Sequence, residues 1–191
     1  ALVVACNTAS SVALGSLREE FPVPVIGVIE PGARAAARAS RTGRIGVIGT
    51  EATVRSGTYQ ALLRSLRPEA SITARSCPLF VPLVEEGWTN GTIARSVVGR
   101  YLGPLKAERI DTLVLGCTHY PLLRDVIGKV MAWLGTPTLT LKAHNLMNWY
   151  VDVLEQSPLW TGIFDNYGWT NYYPAIVATV HTGEAFTYTV H

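Results

Sequence analysis

The feature that most constrains this chain is an alternation, sustained over its first 131 residues, of short apolar runs with stretches at helical spacing. A continuous run of four to six apolar residues bounded by turn residues suits a strand buried on both faces. Ala1–Ala5, Val25–Ile29, Arg44–Ile48 and Asp111–Leu115 are such runs, and Ser71–Arg75 is a weaker one. Between them the spacing predicts helices over Ala9–Glu20, Gly32–Ala39 behind Pro31, Thr50 to Leu66 with Thr50 as the cap, Pro78–Glu86, Thr92–Lys106 and Tyr120–Met131. Strands alternating with helices of this length build βαβ units around a parallel sheet. In such sheets ligands bind beyond the C-terminal ends of the strands.

Composition divides the chain near residue 131. Residues 1–131 hold all 13 arginines, whereas residues 132–191 hold Lys142 as their one Lys or Arg and 11 of the 17 aromatic residues. This predicts three parts: residues 1–30 as the remnant of a first α/β subdomain, 31–131 as a second one, and 132–191 as an atypical aromatic-rich tail. The start of the tail, Thr138–Leu141, is expected to complete the first subdomain. Ala175–Val190 reads as hairpin material around Thr182-Gly183, and the tail aromatics as core or as a binding surface.

The whole chain is 48% hydrophobic and 16% charged, which excludes a disordered tail protein. A net charge of +2 is too small to mark a nucleic-acid binder. Pro, Gly, Asn or Arg interrupts every apolar run before membrane-spanning length, so no membrane partner is expected. The text opens inside an apolar run with neither Met nor a basic leader, and the expectation is that an N-terminal part precedes it. Three dispersed cysteines, Cys6, Cys77 and Cys117, make no disulfide framework and point to reduced thiols in the cytoplasm. Neither CxxC nor HxxxH occurs, so no metal site is expected.

An internal echo singles out two of the thiols. Leu2-Val3-Val4-Ala5-Cys6-Asn7-Thr8 resembles Leu113-Val114-Leu115-Gly116-Cys117-Thr118-His119, and Ile26-Gly27-Val28-Ile29 recurs as Ile45-Gly46-Val47-Ile48. Each cysteine segment is an apolar strand, a small residue, a thiol, and then polar residues leading into a helix. Unpaired N–H groups at a helix start favour a thiolate, so a lowered thiol pKa is expected there. His119 could stabilise that thiolate or move a proton. Two thiols facing each other across a substrate suit inversion at carbon, one removing a proton from one face while the other returns a proton to the opposite face. Cys77, ahead of Pro78 and an apolar run, reads as a structural residue.

Val-Val-Ala-Cys-Asn-Thr-Ala (3–9) and Leu-Gly-Cys-Thr-His-Tyr-Pro (115–121) resemble the two signature segments of bacterial glutamate racemase, in the aspartate/glutamate racemase family. Gly-Val-Ile-Glu-Pro-Gly (27–32), Ile-Gly-Thr-Glu-Ala-Thr-Val-Arg-Ser-Gly-Thr-Tyr (48–59) and Cys-Pro-Leu-Phe-Val-Pro-Leu-Val-Glu-Glu-Gly (77–87) agree with it, in order, across residues 1–131. The resemblance implies two pseudo-symmetric, parallel-sheet, flavodoxin-like subdomains, with the site between them and the first one incomplete. It implies a cofactor-independent isomerase that interconverts L- and D-glutamate for the peptidoglycan precursor. Cys6 and Cys117 would be the catalytic pair, with Glu85 and His119 supporting the second thiol. Asn7, Thr8, Thr118 and His119 would contact substrate, and Thr50 and Thr53 would line the site.

Family members carry an opening strand ending in Asp-Ser and a Pro-Tyr-Gly loop before the first cysteine segment. Neither precedes Cys6 here, and Gly162-Ile163-Phe164-Asp165 matches the strand only in part and in another place. Catalysis by this chain alone therefore stays open. An incomplete sheet would leave apolar surface that favours a homodimer. The alternatives are racemisation of aspartate or another acidic amino acid, a non-catalytic binding protein on the same scaffold, and a thiol redox role. Without an electron sink such as pyridoxal phosphate, hydrogen-bond donors would have to stabilise the charge that develops on the substrate carboxylate.

Overall fold

Two sheets built mainly of parallel strands organise the chain in the computed structural model, which describes residues 1–135, 138–142 and 187–189. In the first sheet β1 (Leu2–Val4) pairs in parallel with β2 (Val25–Gly27), Leu2 lying opposite Val25. The helix expected between them is two helices, α1 (Asn7–Val12) and α2 (Leu14–Glu20), broken at Ala13. The break lets α1 pack on a helix of the second sheet while α2 covers β2. Ser10 ties the two strand ends together. Its hydroxyl donates to the Val4 carbonyl at 2.8 Å and accepts from the Val28 N–H at 3.2 Å.

The second sheet contains β3 (Arg44–Gly49), β4 (Ser71–Ser76), β5 (Thr112–Gly116), β6 (Thr138–Lys142) and β7 (Thr187–Thr189), in the order β4-β3-β5-β6-β7. The first four are parallel, and β7 runs antiparallel to β6. The helices are α3 (Ile29–Ala39), α4 (Glu51–Arg55), α5 (Thr58–Leu66), α6 (Phe80–Glu85), α7 (Gly91–Leu102) and α8 (Arg124–Trp133). Thr50 caps α4 as expected, accepting from the Thr53 N–H at 3.2 Å. The helix predicted to reach Leu66 is interrupted at Gly57, whose φ of +68° costs little only without a Cβ. Pro104 and Pro121 have a related effect. A 3-10 turn at Gly103–Lys106 ends α7, and another at Tyr120–Leu123 precedes α8.

Two expected boundaries move. The division at residues 30 and 31 falls inside α3, which buries Ile29, Gly32, Ala33 and Ala36 and packs against α5 and β5. Strand 138–142, expected to complete the first subdomain, instead extends the second sheet beside β5, with Leu113 opposite Leu141. A single-helix crossover through α8 returns the chain next to the strand it has just left. Of the hairpin expected over 175–190, residues 187–189 are described, and their partner is β6. The turn at Thr182-Gly183, the partial match at 162–165 and most of the tail aromatics lie outside the described residues.

The core of the second sheet joins Ile48, Leu113 and Leu115 to Phe80 and Leu83 of α6, Ala94, Val98 and Leu102 of α7, and Ile127 and Met131 of α8. The loop ahead of β3 is held by a carboxylate. Asp111 accepts from the Ser40 hydroxyl at 2.7 Å, from the Arg41 and Thr42 N–H groups at 2.9 and 2.6 Å, and from the Thr42 hydroxyl at 2.8 Å. Burial acts to raise its pKa, but these hydrogen bonds outweigh burial and hold it below the usual carboxylate range. A carboxylate with a depressed folded pKa adds stability above its unfolded pKa and loses it as pH falls through the folded value. Asp111→Asn, which replaces the oxygen accepting three of these bonds with a donor, is expected to cost about 1–2 kcal/mol in urea unfolding at pH 7. The difference from the unmodified chain should begin to shrink as pH falls below about 4, the unfolded value, and vanish only once pH has passed below the depressed folded value, where both side chains are neutral.

Candidate active site

Both thiols of the echoed segments stand at the exits of parallel strands. Cys6 follows β1 and caps α1 in an extended conformation, with its side chain exposed. Cys117 follows β5 and is buried, at 8% exposure. The structure brings them together, since Cys6 is close enough for its charge to act on the Cys117 ionisation. Cys77, at the exit of β4, is fully buried. Its N–H donates to the Gly49 carbonyl and its carbonyl accepts from the Tyr120 hydroxyl at 2.7 Å, while burial pushes its thiol up to about 12. That is the structural role read from its neighbours.

The expected lowering of the Cys117 pKa is reversed. Burial raises it, and a charge on Cys6 raises it further. The His119 and Tyr120 N–H groups and the Thr118 hydroxyl pull the other way without prevailing. The segment after Cys117 is a 3-10 turn rather than the start of an α-helix, so few aligned peptide dipoles face the sulfur.

His119 lies between Cys117 and Glu85. Its Nδ1 is 3.7 Å from Cys117 Sγ and 3.5 Å from the Thr118 hydroxyl, and its Nε2 is 3.4 Å from Glu85 Oε1. Glu85 is the last residue of α6, which brings a carboxylate to the mouth of β5. The result is a carboxylate–imidazole–thiol line, open to solvent at the Glu85 end.

Three hydroxyls link the two sheets. Thr8 of α1 is 2.8 Å from Thr50 and 3.2 Å from Thr53, and Thr50 and Thr53 are 3.0 Å apart. Thr8 and Thr50 are partly exposed, but Thr53 is 1% exposed and supports them from beneath rather than lining the site. Thr118 is exposed beside Cys117. Asn7 is buried, and its Oδ1 accepts from the Tyr59 hydroxyl at 2.7 Å. Tyr59 escaped the sequence reading as a site residue. Helical spacing marks it as inward-facing, and a partner 52 residues away leaves no local signal. Among the described residues no group of three or more His, Cys, Asp or Glu could hold a metal ion, and no helix is long and apolar enough to cross a membrane.

Fold and site together define an α/β protein of parallel sheets whose ligand-binding ends carry two thiols, one of them backed by imidazole and carboxylate. The family model described as Asp/Glu/Hydantoin racemase matches residues 1–140, and the chain belongs to that family. It is 55% identical over 130 residues to a glutamate racemase of Geobacter metallireducens, covering 68% of this chain and 48% of that one. To a glutamate racemase of Aquifex aeolicus it is 59% identical over 126 residues, 66% of this chain and 48% of that one. The chain spans about half the length of the curated relatives it matches. Among solved structures, glutamate racemase isoform RacE1 from Bacillus anthracis superposes with a TM-score of 0.73 at 39% identity, covering 83% of this chain and 59% of that one. A Francisella tularensis glutamate racemase in complex with D-glutamate gives 0.72 at 31% identity, with 82% and 57% covered.

Proposed function

We propose that this chain carries the chemistry of a glutamate racemase, interconverting L- and D-glutamate by two opposed thiols and supplying D-glutamate for peptidoglycan synthesis in the cytoplasm. The observation that carries the reading is the placement of Cys6 and Cys117 at equivalent strand exits, near enough for a charge on Cys6 to act on Cys117. One sulfur, as thiolate, takes the Cα proton from one face. The electron pair left on Cα is shared with the adjacent carboxylate, and the other sulfur, as thiol, delivers a proton to the opposite face. The first sulfur ends as thiol and the second as thiolate, ready for the reverse reaction.

Burial keeps Cys117 in the thiol form at neutral pH, the form that gives a proton. When Cys117 must act as base, His119 is placed to receive its proton and Glu85 to stabilise the imidazolium. Asn7, Thr8, Thr50 and Thr118 are the hydrogen-bonding groups around this pair, the donors that charge on the substrate carboxylate calls for. The glutamate-bound Francisella relative supports a small acidic amino acid as substrate. Exposed Val12, Phe21 and Val23 near the two-stranded first sheet support a homodimer.

Purified chain incubated with L-glutamate in D2O is expected to yield D-glutamate carrying one deuterium at Cα, and aspartate is expected to exchange more slowly. A folded chain that leaves the Cα proton of glutamate unexchanged would reject the reading. Faster exchange of aspartate would shift it to an aspartate racemase.

A further inference from the structure

The two thiol-bearing turns come from different sheets, and one side chain touches both. Tyr59, in the first turn of α5, is 2% exposed. Its hydroxyl donates to Oδ1 of Asn7, the residue after Cys6. Its ring packs on Gly116, the residue before Cys117. A Cβ added at Gly116 would lie 2.8 Å from the Ile48 carbonyl, which excludes it, and 3.2 Å from Tyr59 Cε2, so the ring sits close over this glycine. We infer that Tyr59 is a positioning residue that turns the Asn7 carboxamide so that its NH2, rather than its oxygen, is presented at the thiol pair. The inference rests on the racemase reading for its consequence in catalysis.

The chemistry of the amide makes the orientation matter. A carboxamide offers an acceptor at one end and donors at the other. An anionic substrate needs the donor end, and an oxygen turned toward it would repel its carboxylate. Because Tyr59 occupies Oδ1, the donor end is the one left over, and among the described residues Asn7 Nδ2 has no hydrogen-bond partner. Burial keeps the Tyr59 phenol protonated, so it remains a donor throughout the working pH range. With phenylalanine at position 59 the ring still packs on Gly116, but nothing distinguishes the two ends of the amide.

The test uses the full chain as Tyr59→Phe, Asn7→Ala and the double variant. The side-chain NH2 resonances of Asn7, assigned by their loss in Asn7→Ala, are expected to shift and broaden in Tyr59→Phe, with the backbone spectrum otherwise retained. Turnover of glutamate, as kcat/KM, should fall about tenfold in Tyr59→Phe, the effect of one buried hydrogen bond. The double variant should be no slower than Asn7→Ala, because both changes remove the same interaction. Unmoved Asn7 resonances in Tyr59→Phe, or losses that multiply in the double variant, overturn the inference. Shifted resonances in a chain that never turns over glutamate would sustain the orienting role and count against the racemase reading instead.

Discussion

Cys117→Ser is expected to abolish racemisation while leaving slow, one-sided exchange. A serine hydroxyl is a far weaker acid than a thiol, so it neither gives nor takes a proton at useful speed near neutral pH. The loss of inversion should be on the order of 10³-fold, within the range that a positioned acid–base group supplies. Cys6 remains, and a single base can remove the Cα proton from its own face and return solvent deuterium to that same face. The variant should therefore label one enantiomer of glutamate slowly, with retention, and convert almost none of it. Chiral separation with mass detection reads both quantities. Deuterium entering both enantiomers at the unmodified rate would show that Cys117 is not the second proton carrier. The substitution also puts a hydroxyl at a site 8% exposed in the core cluster, so unfolding of the variant should be measured alongside.

Phe80→Ala should have the largest effect on stability. Phe80 is fully buried on α6, edge-on to Tyr101 at 5.5 Å between ring centroids and to Tyr120 at 5.0 Å. Truncating a buried phenylalanine costs about 3–5 kcal/mol, from lost burial and from the cavity that remains. A domain of this kind has only about 5–15 kcal/mol in all, so much of the folded population is at risk at 37 °C. The consequence reaches the site. Tyr120 follows His119, and its hydroxyl holds the Cys77 carbonyl across 43 residues of sequence. Without Phe80 the Tyr120 ring loses one wall, and the imidazole beside Cys117 loses its support. Phe80→Leu, which refills most of the volume, should recover over half of the loss in a urea titration. Equal midpoints for Phe80→Ala and the unmodified chain would mean that this aromatic stack does not hold the second sheet's core together.

Local chemistry explains which parts of the fold were legible in advance. Strands β3 and β5 fall where apolar runs predict them, because a strand covered on both faces must be apolar at successive positions, while β4, an edge strand with no buried residue, gave only the weaker signal. The Thr50 cap was equally readable, since it depends on residues three apart. Helix interruptions were less so. The expected helices ran straight through Gly57 and Pro104, because whether such a residue breaks a helix depends on what packs there. The strand at 138–142 was recognised and assigned to the wrong sheet, because an apolar run says nothing about its neighbour.

The site divides along the same line. By itself the sequence singled out Cys6 and Cys117 as candidates, because a strand exit followed by polar residues is a local pattern, and here it occurs twice. It also set His119 two residues from Cys117, within reach of the sulfur. Only the tertiary structure decided the direction in which the Cys117 pKa moves, since burial around that thiol outweighs the N–H groups that sequence could foresee. Only the tertiary structure joined Glu85 to His119, Thr8 to Thr50 and Tyr59 to Asn7, across separations that reach 52 residues. Hydrogen bonds and desolvation depend on distance in space, and a chain that folds through two sheets makes that distance nearly independent of position in sequence.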